Sequence, residues 1–494
     1  MTNARRGLRD FSPVGSSLAK KILTEPMWFF VAGALVFGIA LVFIDPPFFG
    51  LDERAHFMRA YQMSNAQLRV GTIGNDRHYG AELPANLVQI VSLSTFDLAD
   101  NNVNKGLSNR KDTDFTQYKP YISQPFSDNN TSSPLSDNQL LAAISYAPTG
   151  YAHYAATIRI FRTIHVGLLT TMYATRLMGL FVYIAVVAWA IRLSPKYKWL
   201  IALTALLPTA LFQATVISID AVVSCASLLL FGLIMALWYE PQKRGRRLEL
   251  VVLGVLFVLA TTKPPYAALA LILLFLPCKA FGSTKMMYFW KVAWLAVPVL
   301  VAGLWAVANG PATKHVVELL PPGTADISAQ LHFVLRRPFT FLRVLVVTTY
   351  KGLDGYFMGA VGVAGSTLLD IPIMPVVLGS VLTVGLSLAY EEPTTGPARS
   401  TDRRLSLAIA CGLVATVSLI SASLYLTFTR VGGSVIGGIQ GRYFLPLVPY
   451  VLLAAWLVFP WQVAVKKALI KRVMISSSAV FLSLTALVYV VTNY

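Results

Sequence analysis

The segment Asp45–Phe57, DPPFFGLDERAHF, directly follows the first long apolar run of the chain, residues 27–44. Its two adjacent prolines end that run, because proline lacks the backbone N–H that a continuing helix needs. If a new helix begins after them, Asp52, Glu53 and His56 lie near one face of its first two turns. The segment therefore predicts a polar cluster where an apolar helix leaves the membrane. The alternative is an ordinary helix start, with Asp52 as the N-cap and Glu53 complementing the helix dipole.

Composition is typical of a polytopic membrane protein. Of the 494 residues, 55% are hydrophobic and only 13% are charged, which excludes an ordinary soluble protein of this size. The apolar runs are long enough for membrane-spanning helices, so we predict an all-α fold in a lipid bilayer. The formal net charge of +18 does not require nucleic acid, because basic residues of membrane proteins collect on cytoplasmic loops. No nucleic-acid-binding motif accompanies this charge, so no nucleic acid partner is expected.

The apolar runs predict a bundle of about 11 transmembrane helices. Their predicted bounds are 27–44, 176–193, 199–216, 221–239, 250–262, 267–277, 292–308, 371–390, 405–428, 444–461 and a last span after residue 472. The predicted organisation is a basic N-terminus (1–26), a first transmembrane helix (27–45), a long loop or subdomain with the acidic motif (46–165), helices two to seven (166–308), a second long loop (309–370) and helices eight to eleven (371–494).

Basic residues predict the orientation of these spans. Lys and Arg concentrate in short segments such as 243–247 and 466–472, whereas the turns between them carry few. Cytoplasmic loops have this excess of Lys and Arg. The N-terminus is therefore predicted to be cytoplasmic, and the long first loop with Asp45–Phe57 is predicted to be extracytoplasmic.

Further charged residues occur at the same predicted outer face. Charge at membrane depth is costly and usually has a function. Carboxylates beside Lys or Arg can deprotonate a hydroxyl and neutralise a departing phosphate, which Arg grips with two donors. The candidates beyond the acidic motif are Arg176, Asp220, Lys263, Arg430, Arg442 and Tyr443. Simpler roles remain open: an interfacial position for Arg176 and Lys263, helix capping for Asp220, and an aromatic-belt position for Tyr443.

His56 has a second interpretation as a metal ligand together with Asp52 and Glu53. Three ligands within five residues would be an incomplete site without further donors. We therefore predict no metal ligands and no cofactor, and leave a divalent ion as an open alternative.

Five segments resemble one known family. PPFFGLDERAHFMRAYQM (46–63) resembles the hallmark of a bacterial polytopic membrane-protein family of unknown function, which is grouped with the GT-C glycosyltransferase superfamily. SYAPTGY (145–151), SID (218–220), KPPY (263–266) and GIQGRYFLP (438–446) are similar to that family's pattern in the same order. The acidic pair Asp52-Glu53 is also similar to the Asp-Glu of protein O-mannosyltransferases.

This resemblance implies a GT-C-like bundle and an inverting glycosyltransferase in the bacterial inner membrane. The donor would be a polyprenyl-phosphate-linked sugar, and the acceptor a cell-envelope glycan, lipid or protein. Asp52 or Glu53 would be the catalytic base, and Arg442, with Lys263 or Arg176, would bind the donor phosphate. His56, Asp220, Arg430 and Tyr443 would be accessory residues.

The competing functions use the same lipid-linked substrates. A transporter or flippase would need charge along a central cavity, whereas the predicted charge lies at one face. An O-antigen-type polymerase would require a diphosphate-linked donor. A diphosphate leaving group carries more charge than a monophosphate, which favours neutralisation by a divalent ion. A non-enzymatic scaffold would tolerate loss of Asp52 and Arg442.

Overall fold

The computed structural model describes residues 21–73, 78–93, 115–134, 143–241, 247–318, 325–362, 373–392 and 398–493. Most of the predicted basic N-terminus, three stretches inside the predicted first loop (74–77, 94–114 and 135–142), and the basic segment 242–246 therefore lie outside the described residues. The described chain is mostly helical, as predicted.

The α-helices are, in chain order, α1 Pro26–Ile44, α2 Glu53–Ser64, α3 Ala85–Ser92, α4 Ala152–Thr163, α5 Leu168–Leu193, α6 Lys198–Ala205, α7 Pro208–Thr215, α8 Ile219–Tyr239, α9 Arg247–Thr262, α10 Thr284–Glu318, α11 Ile327–Arg336, α12 Pro338–Lys351, α13 Leu353–Val361, α14 Ile373–Ala389, α15 Ala398–Phe428, α16 Val448–Val458 and α17 Lys467–Asn493. Tighter 3-10 helices cover Phe115–Ile122, Pro148–Tyr151, Pro264–Phe275, Cys278–Ala280 and Gly441–Leu447. Three strands complete the described fold: β1 Gly71–Ile73, β2 His78–Pro84 and β3 Asn130–Pro134.

Seven segments within the described ranges are long and apolar enough to cross a membrane. They are α1, α5, α8, α10, most of α15, the continuous stretch Gly441–Val458, and most of α17. The helix α8 lies at the centre of the bundle, with 94% of its most apolar stretch buried. The chain is thus a multi-helix membrane protein, but the predicted number of about 11 spans is not confirmed.

The other predicted spans are short or interrupted, for reasons visible in the sequence. The predicted span 199–216 forms α6 and α7, which are separated before Pro208 because proline cannot donate to the preceding turn. Pro264 and Pro265 begin a 3-10 helix where the sixth span was expected. The helices α9 and α14 are regular but have only 16 and 17 residues.

The predicted second loop is largely helical. The helix α10 has 35 residues and passes the predicted end of its span at residue 308 without a break. The amphipathic stretch expected near 327–350 forms two helices, α11 and α12, which separate at Arg337 because Pro338 begins the second one.

A small domain containing a sheet follows α1, which the all-α prediction did not include. The strands pair antiparallel in the order β1-β2-β3, with Thr72 opposite Tyr79 and Glu82 opposite Ser132. The sheet packs with α2, α3 and α4 around a common apolar core that includes Phe57 and Leu87. Strands of only three to seven residues leave little periodic signal in a sequence.

Different groups of polar contacts lie at the two ends of the bundle. The motif end contains Asp45–His56, Ser218–Asp220, Lys263 and Gly441–Tyr443. At the opposite end, the backbone N–H of Tyr197 donates to Glu391 at 3.2 Å, and Tyr239 Oη donates to Asp402 at 3.2 Å. Lys471 there donates to the carbonyl of Thr24 at 3.1 Å. Thr24 precedes α1 and Asp45 follows it, so the contact of Lys471 lies at the other end of that helix from Asp45.

Candidate functional site

The charged residues of the motif end form two groups. We call Asp45, Glu53 and Arg176 the buried triad, and Asp52, Asp220, Lys263 and Arg442 the charged tetrad. The adjacent carboxylates Asp52 and Glu53 belong to different groups, because successive residues at a helix start point in different directions.

The buried triad is a saturated ion-pair network. Arg176 Nε donates to Glu53 Oε1 at 2.7 Å, and its Nη2 donates to Glu53 Oε2 at 2.5 Å and Asp45 Oδ2 at 2.7 Å. Its Nη1 donates to the carbonyls of Val42 at 3.0 Å and Asp45 at 2.7 Å. The side chains of all three triad members have 0% exposure. In this geometry Arg176 has no accessible donor for a phosphate, contrary to the role that the sequence indicated.

Glu53 is also held by the backbone. It accepts hydrogen bonds from Gly50 N at 3.2 Å and Ile217 N at 3.0 Å, in addition to the two from Arg176. These contacts connect the end of α1, the start of α2, α5 and the turn before α8. Glu53 therefore joins these elements, and its carboxylate has no exposed oxygen that could take a proton from an acceptor.

The charged tetrad is a chain of alternating charges that reaches the surface at one member. Arg442 Nη2 donates to Asp52 Oδ2 at 2.6 Å, and Arg442 Nη1 lies 3.3 Å from Asp220 Oδ2. Lys263 Nζ pairs with the other Asp220 oxygen, Oδ1. The side chains of Arg442 and Asp220 are 8% exposed, that of Lys263 is 12% exposed, and that of Asp52 is 37% exposed. Asp52 is thus the accessible carboxylate of the tetrad.

The backbone directs Asp52 toward the tetrad. Asp52 occupies the N-cap position of α2 with φ 58° and ψ 10°, and its side chain makes no capping hydrogen bond. This left-handed conformation costs roughly 1–2 kcal/mol for a residue with a side chain, although Asp tolerates it better than most. Ser218, and not Asp220, caps α8, since Ser218 Oγ accepts from Asp220 N at 3.1 Å. Both aspartates therefore use their carboxylates for the ion pairs and not for capping.

Aromatic rings enclose the cationic side of the tetrad. Lys263 Nζ lies 4.4 Å from the ring centre of Tyr443 and 5.9 Å from that of Tyr146. Tyr266 Oη donates to the carbonyl of Tyr443 at 2.6 Å and so fixes its position. Burial raises the pKa of Tyr146 to about 12, so its hydroxyl remains a neutral donor at physiological pH. Tyr146 was not among the residues predicted from the sequence, although it lies in the SYAPTGY segment.

Arg442 retains one unused donor. Its Nε is buried and has no hydrogen-bond partner among the described residues, and the same is true of Gln213 Oε1. Both side chains line a small cavity of about 20 Å³ with Leu51 and Ser218. Arg442 therefore has donor capacity beyond its two aspartates. Arg430, in contrast, lies exposed on the loop before the 3-10 helix, and the structure does not bring it into the tetrad.

His56 lies behind the tetrad and faces a different partner. Its Nδ1 is 2.7 Å from Tyr151 Oη, and the residue is only 3% exposed. Because Asp52, Glu53 and His56 contact Arg442, Arg176 and Tyr151 respectively, they do not converge as a ligand set. Across the described parts of the chain, no group of three or more His, Cys, Asp or Glu side chains is placed to hold a metal ion.

We expect His56 to make stability fall at acidic pH. Burial lowers the pKa of His56 from 6.5 to about 4, although the nearby Asp52 and Asp220 oppose this shift. Between pH 6.5 and 4 the unfolded chain therefore binds more protons at His56 than the folded chain does. The contribution of His56 to the free energy of unfolding is complete above pH 6.5 and is lost as the pH falls toward 4. The slope is at most about 1.4 kcal/mol per pH unit. His56→Asn, measured by thermal unfolding in detergent, removes this slope; the exposed His165→Asn retains it. Equal slopes in both variants would contradict the assignment.

A close backbone contact positions Arg442. A Cβ atom at Gly441 would lie 2.5 Å from Gly359 Cα and 2.5 Å from the carbonyl oxygen of Tyr356. Only glycine therefore allows the 3-10 helix Gly441–Leu447 to pack this closely on α13, and Arg442 is the next residue.

Gly441→Ala is expected to destabilise the protein and displace Arg442. Overpacking of this kind typically costs about 1–3 kcal/mol, which lowers the melting temperature in detergent. Gly355→Ala in the same region is the matched control, because a Cβ atom there meets nothing within 4 Å. If both variants melt at the wild-type temperature, the close contact does not constrain Arg442.

Comparison with known proteins identifies a family but no characterised relative. Residues 35–451 match the family described as "Predicted membrane protein (DUF2142)". No curated protein and no solved structure matches the chain. The matched region contains every member of both charged groups, and it confirms the expected membership of a membrane-protein family. The chain therefore belongs to the DUF2142 family of predicted membrane proteins.

Proposed function

We propose that this protein is an integral membrane glycosyltransferase of the GT-C type. It moves a sugar from a polyprenyl-phosphate donor to a cell-envelope glycan, lipid or protein acceptor, with inversion at the anomeric carbon. The observation that carries the proposal is the contact between Asp52, an exposed carboxylate, and Arg442, a buried guanidinium with an unused donor. An accessible carboxylate beside a guanidinium at one end of a membrane bundle supports the roles of a base and a phosphate-binding cation.

In the proposed reaction, Asp52 accepts the proton of an acceptor hydroxyl. The hydroxyl oxygen attacks the anomeric carbon as the bond from that carbon to the phosphate oxygen breaks, and the polyprenyl phosphate leaves with the electron pair. A single displacement inverts the configuration. Arg442 and Lys263 stabilise the charge on the departing phosphate, and Tyr146 and Tyr443 limit the access of water to Lys263.

The charge balance of the tetrad fits this sequence of events. Two carboxylates and two cations give the resting tetrad no net charge. When Asp52 takes up the acceptor proton, the tetrad gains one positive charge at the moment that negative charge develops on the leaving group. Such coupling stabilises the transition state more than the bound substrate, which is the requirement for catalysis.

The proposed topology follows from charge at the two ends. Lys196, Lys467 and Lys471 lie at the opposite end from the tetrad. The excess of basic residues on cytoplasmic loops supports a cytoplasmic opposite end in a bacterial inner membrane and an extracytoplasmic motif end. We retain about 11 crossings, with a long first extracytoplasmic loop, in which short or broken helices supply the crossings beyond the seven long ones.

A flippase of lipid-linked glycans is the alternative from another class. A charged path through the bundle would favour it, but the ion pairs described here lie at the two ends, and the central helix α8 carries no charged residue after Asp220. An O-antigen-type polymerase differs in its diphosphate-linked donor. We propose no cofactor for the monophosphate donor, and a divalent ion would be sought if a diphosphate donor is used.

The proposal is tested with membranes that contain the wild-type protein or Arg442→Ala. Labelled polyprenyl-phosphate sugars and a cell-envelope extract are added, and transfer of label is measured. We expect transfer by the wild type and loss of at least about 100-fold in Arg442→Ala, since removal of one transition-state donor has this effect. Arg343→Ala, at an exposed position on α12, is the matched control. Protein-dependent movement of lipid-linked glycan between leaflets, without consumption of any donor, would replace the transferase by the flippase.

A further inference from the structure

A second cleft lies beside the sheet of the small domain, outside the charged tetrad. It has a volume of about 780 Å³ and lies between the end of α2, the strands β1 and β2, and the segment of α10 around Asn309. This volume falls within the range of about 300–1,000 Å³ that is typical of small-molecule sites. None of the tetrad residues lines it.

The helix α2 connects this cleft to the tetrad. Asp52 precedes its first turn, His56 contacts Tyr151 in its second turn, and Gln62 reaches the cleft near its end. Arg59 on the same helix donates to Gln62 Oε1 and, at 2.6 Å, to the carbonyl of Leu68. One short helix thus fixes both the accessible carboxylate and one wall of the cleft.

Charged and uncharged polar side chains line the cleft, and its net charge is zero. Arg69 and Glu82 are its charged residues, one of each sign. Such a lining favours neither polyanions nor cations. The uncharged polar side chains of the lining are the exposed Gln67 and Thr72 and the buried amides of Gln62 and Asn309, and the partly buried ring of Tyr79 adds an aromatic surface.

Two of these amides are held in fixed orientations. Gln62 is 2% exposed, accepts from Arg59 and donates to the carbonyl of Arg69 at 3.3 Å. Asn309 is 3% exposed and donates to the carbonyl of Ile144 at 3.0 Å, which leaves its Oδ1 without a partner among the described residues. These two buried amides therefore stabilise the wall of the cleft, and the contacts to a ligand are left to the exposed Gln67 and Thr72.

We propose that this cleft binds a neutral oligosaccharide, the part of the glycan acceptor that lies beyond the reacting hydroxyl. Hydroxyl groups of a sugar both donate and accept, as the Gln67 amide and the Thr72 hydroxyl do, and the apolar face of a sugar ring packs on an aromatic ring such as that of Tyr79. The role as an acceptor site rests on the proposed function, whereas oligosaccharide binding itself does not.

A peptide is the occupant that the test must distinguish. The strand β1 lies at the edge of the sheet, and an extended peptide can pair with such an edge. The neutral, open cleft with its amide side chains favours the oligosaccharide. Peptide binding is therefore an outcome that would overturn the proposal.

The test uses the full-length protein, purified in detergent, on an array that carries neutral oligosaccharides, their sulfated counterparts and extended peptides. The variant Gly71→Trp fills the cleft, because Gly71 lines it and a Cβ atom there meets nothing within 4 Å. Gly355→Trp, equally open but outside the cleft, is the control. We expect binding of neutral oligosaccharides that weakens about tenfold or more in Gly71→Trp and not in Gly355→Trp. Gln67→Ala, at an exposed position of the cleft, is the second variant if Gly71→Trp does not fold.

Preference for sulfated glycans or peptides, or no binding of any neutral oligosaccharide, would overturn the proposal. The proposed function is tested separately with Asp52→Asn, because this substitution leaves the cleft intact. Oligosaccharide binding without any sugar transfer would refute the transferase and retain the cleft as a glycan site. Sugar transfer with an acceptor KM unchanged in both Gly71→Trp and Gln67→Ala would retain the transferase and refute the cleft.

Discussion

Asp52→Asn is expected to lower the rate of the proposed sugar transfer by about 10²–10⁴-fold, the usual contribution of a general base. Asn keeps the size of the side chain and tolerates the left-handed backbone conformation, but it cannot accept the acceptor proton. It also leaves Arg442 paired only with Asp220. The rate is measured with labelled donor in membranes, at protein levels matched to the wild type.

Asp128→Asn is the matched control, because Asp128 is an exposed aspartate of the same small domain. It is expected to transfer sugar at the wild-type rate. A wild-type rate in Asp52→Asn would remove Asp52 as the base. Since Glu53 is fully buried and saturated by Arg176 and backbone donors, the proposed mechanism would then lack an accessible base.

Arg176→Met is expected to cost about 3–5 kcal/mol of stability, because it leaves Asp45 and Glu53 as buried charges without their cation. The consequence is loss of folded protein rather than a slower reaction. It is measured as the amount of monodisperse protein extracted by mild detergent and as the melting temperature of whatever remains. Arg176→Lys restores the charge but not the planar fork of donors, and is expected to recover stability only in part.

A neutral replacement of the whole triad separates charge from packing. The triple variant Asp45→Asn/Glu53→Gln/Arg176→Met leaves no charged side chain in the triad. It is therefore expected to recover much of the stability that Arg176→Met loses. The exposed Arg343→Met controls for loss of a positive charge on the chain. If the single variant Arg176→Met is as stable as the wild type, the triad is not a structural ion pair and a ligand-binding role for Arg176 becomes tenable again.

The elements that the sequence predicts well are those with strong local signals. Apolar runs of about 20 residues gave α1, α5 and α8, since little else in a protein produces such runs. Prolines explain the interruptions before Pro208 and Pro264, but a run of apolar residues does not show whether a broken helix crosses the membrane. The sheet was missed because its strands are short, and β2, HYGAELP, has no β-branched residue.

The candidate site was only partly predictable, for a different reason. All four members of the charged tetrad were selected from their residue types and their positions at helix ends, and the structure brings them together. The separation of Asp52 from Glu53 depends on one left-handed residue and on partners 390 and 123 positions away. Asp45 was not selected as a candidate, although its place directly after the first span was a usable signal for a buried ion pair.

The distances along the chain between these partners set an order of assembly. Glu53 meets Arg176 after 123 residues, whereas Asp52 meets Arg442 only after 390, and Asp45 meets Tyr489 of α17 only after 444. At a synthesis rate of about 5–20 residues per second, the first pair becomes possible within roughly 25 seconds, and the tetrad only after roughly 20 to 80 seconds. A nascent chain thus secures the junction of α1 and α2 early and carries Asp52 without its guanidinium until most of the bundle has been inserted. A chain that ends before residue 442 would contain all three residues of the triad and lack the Asp52–Arg442 pair.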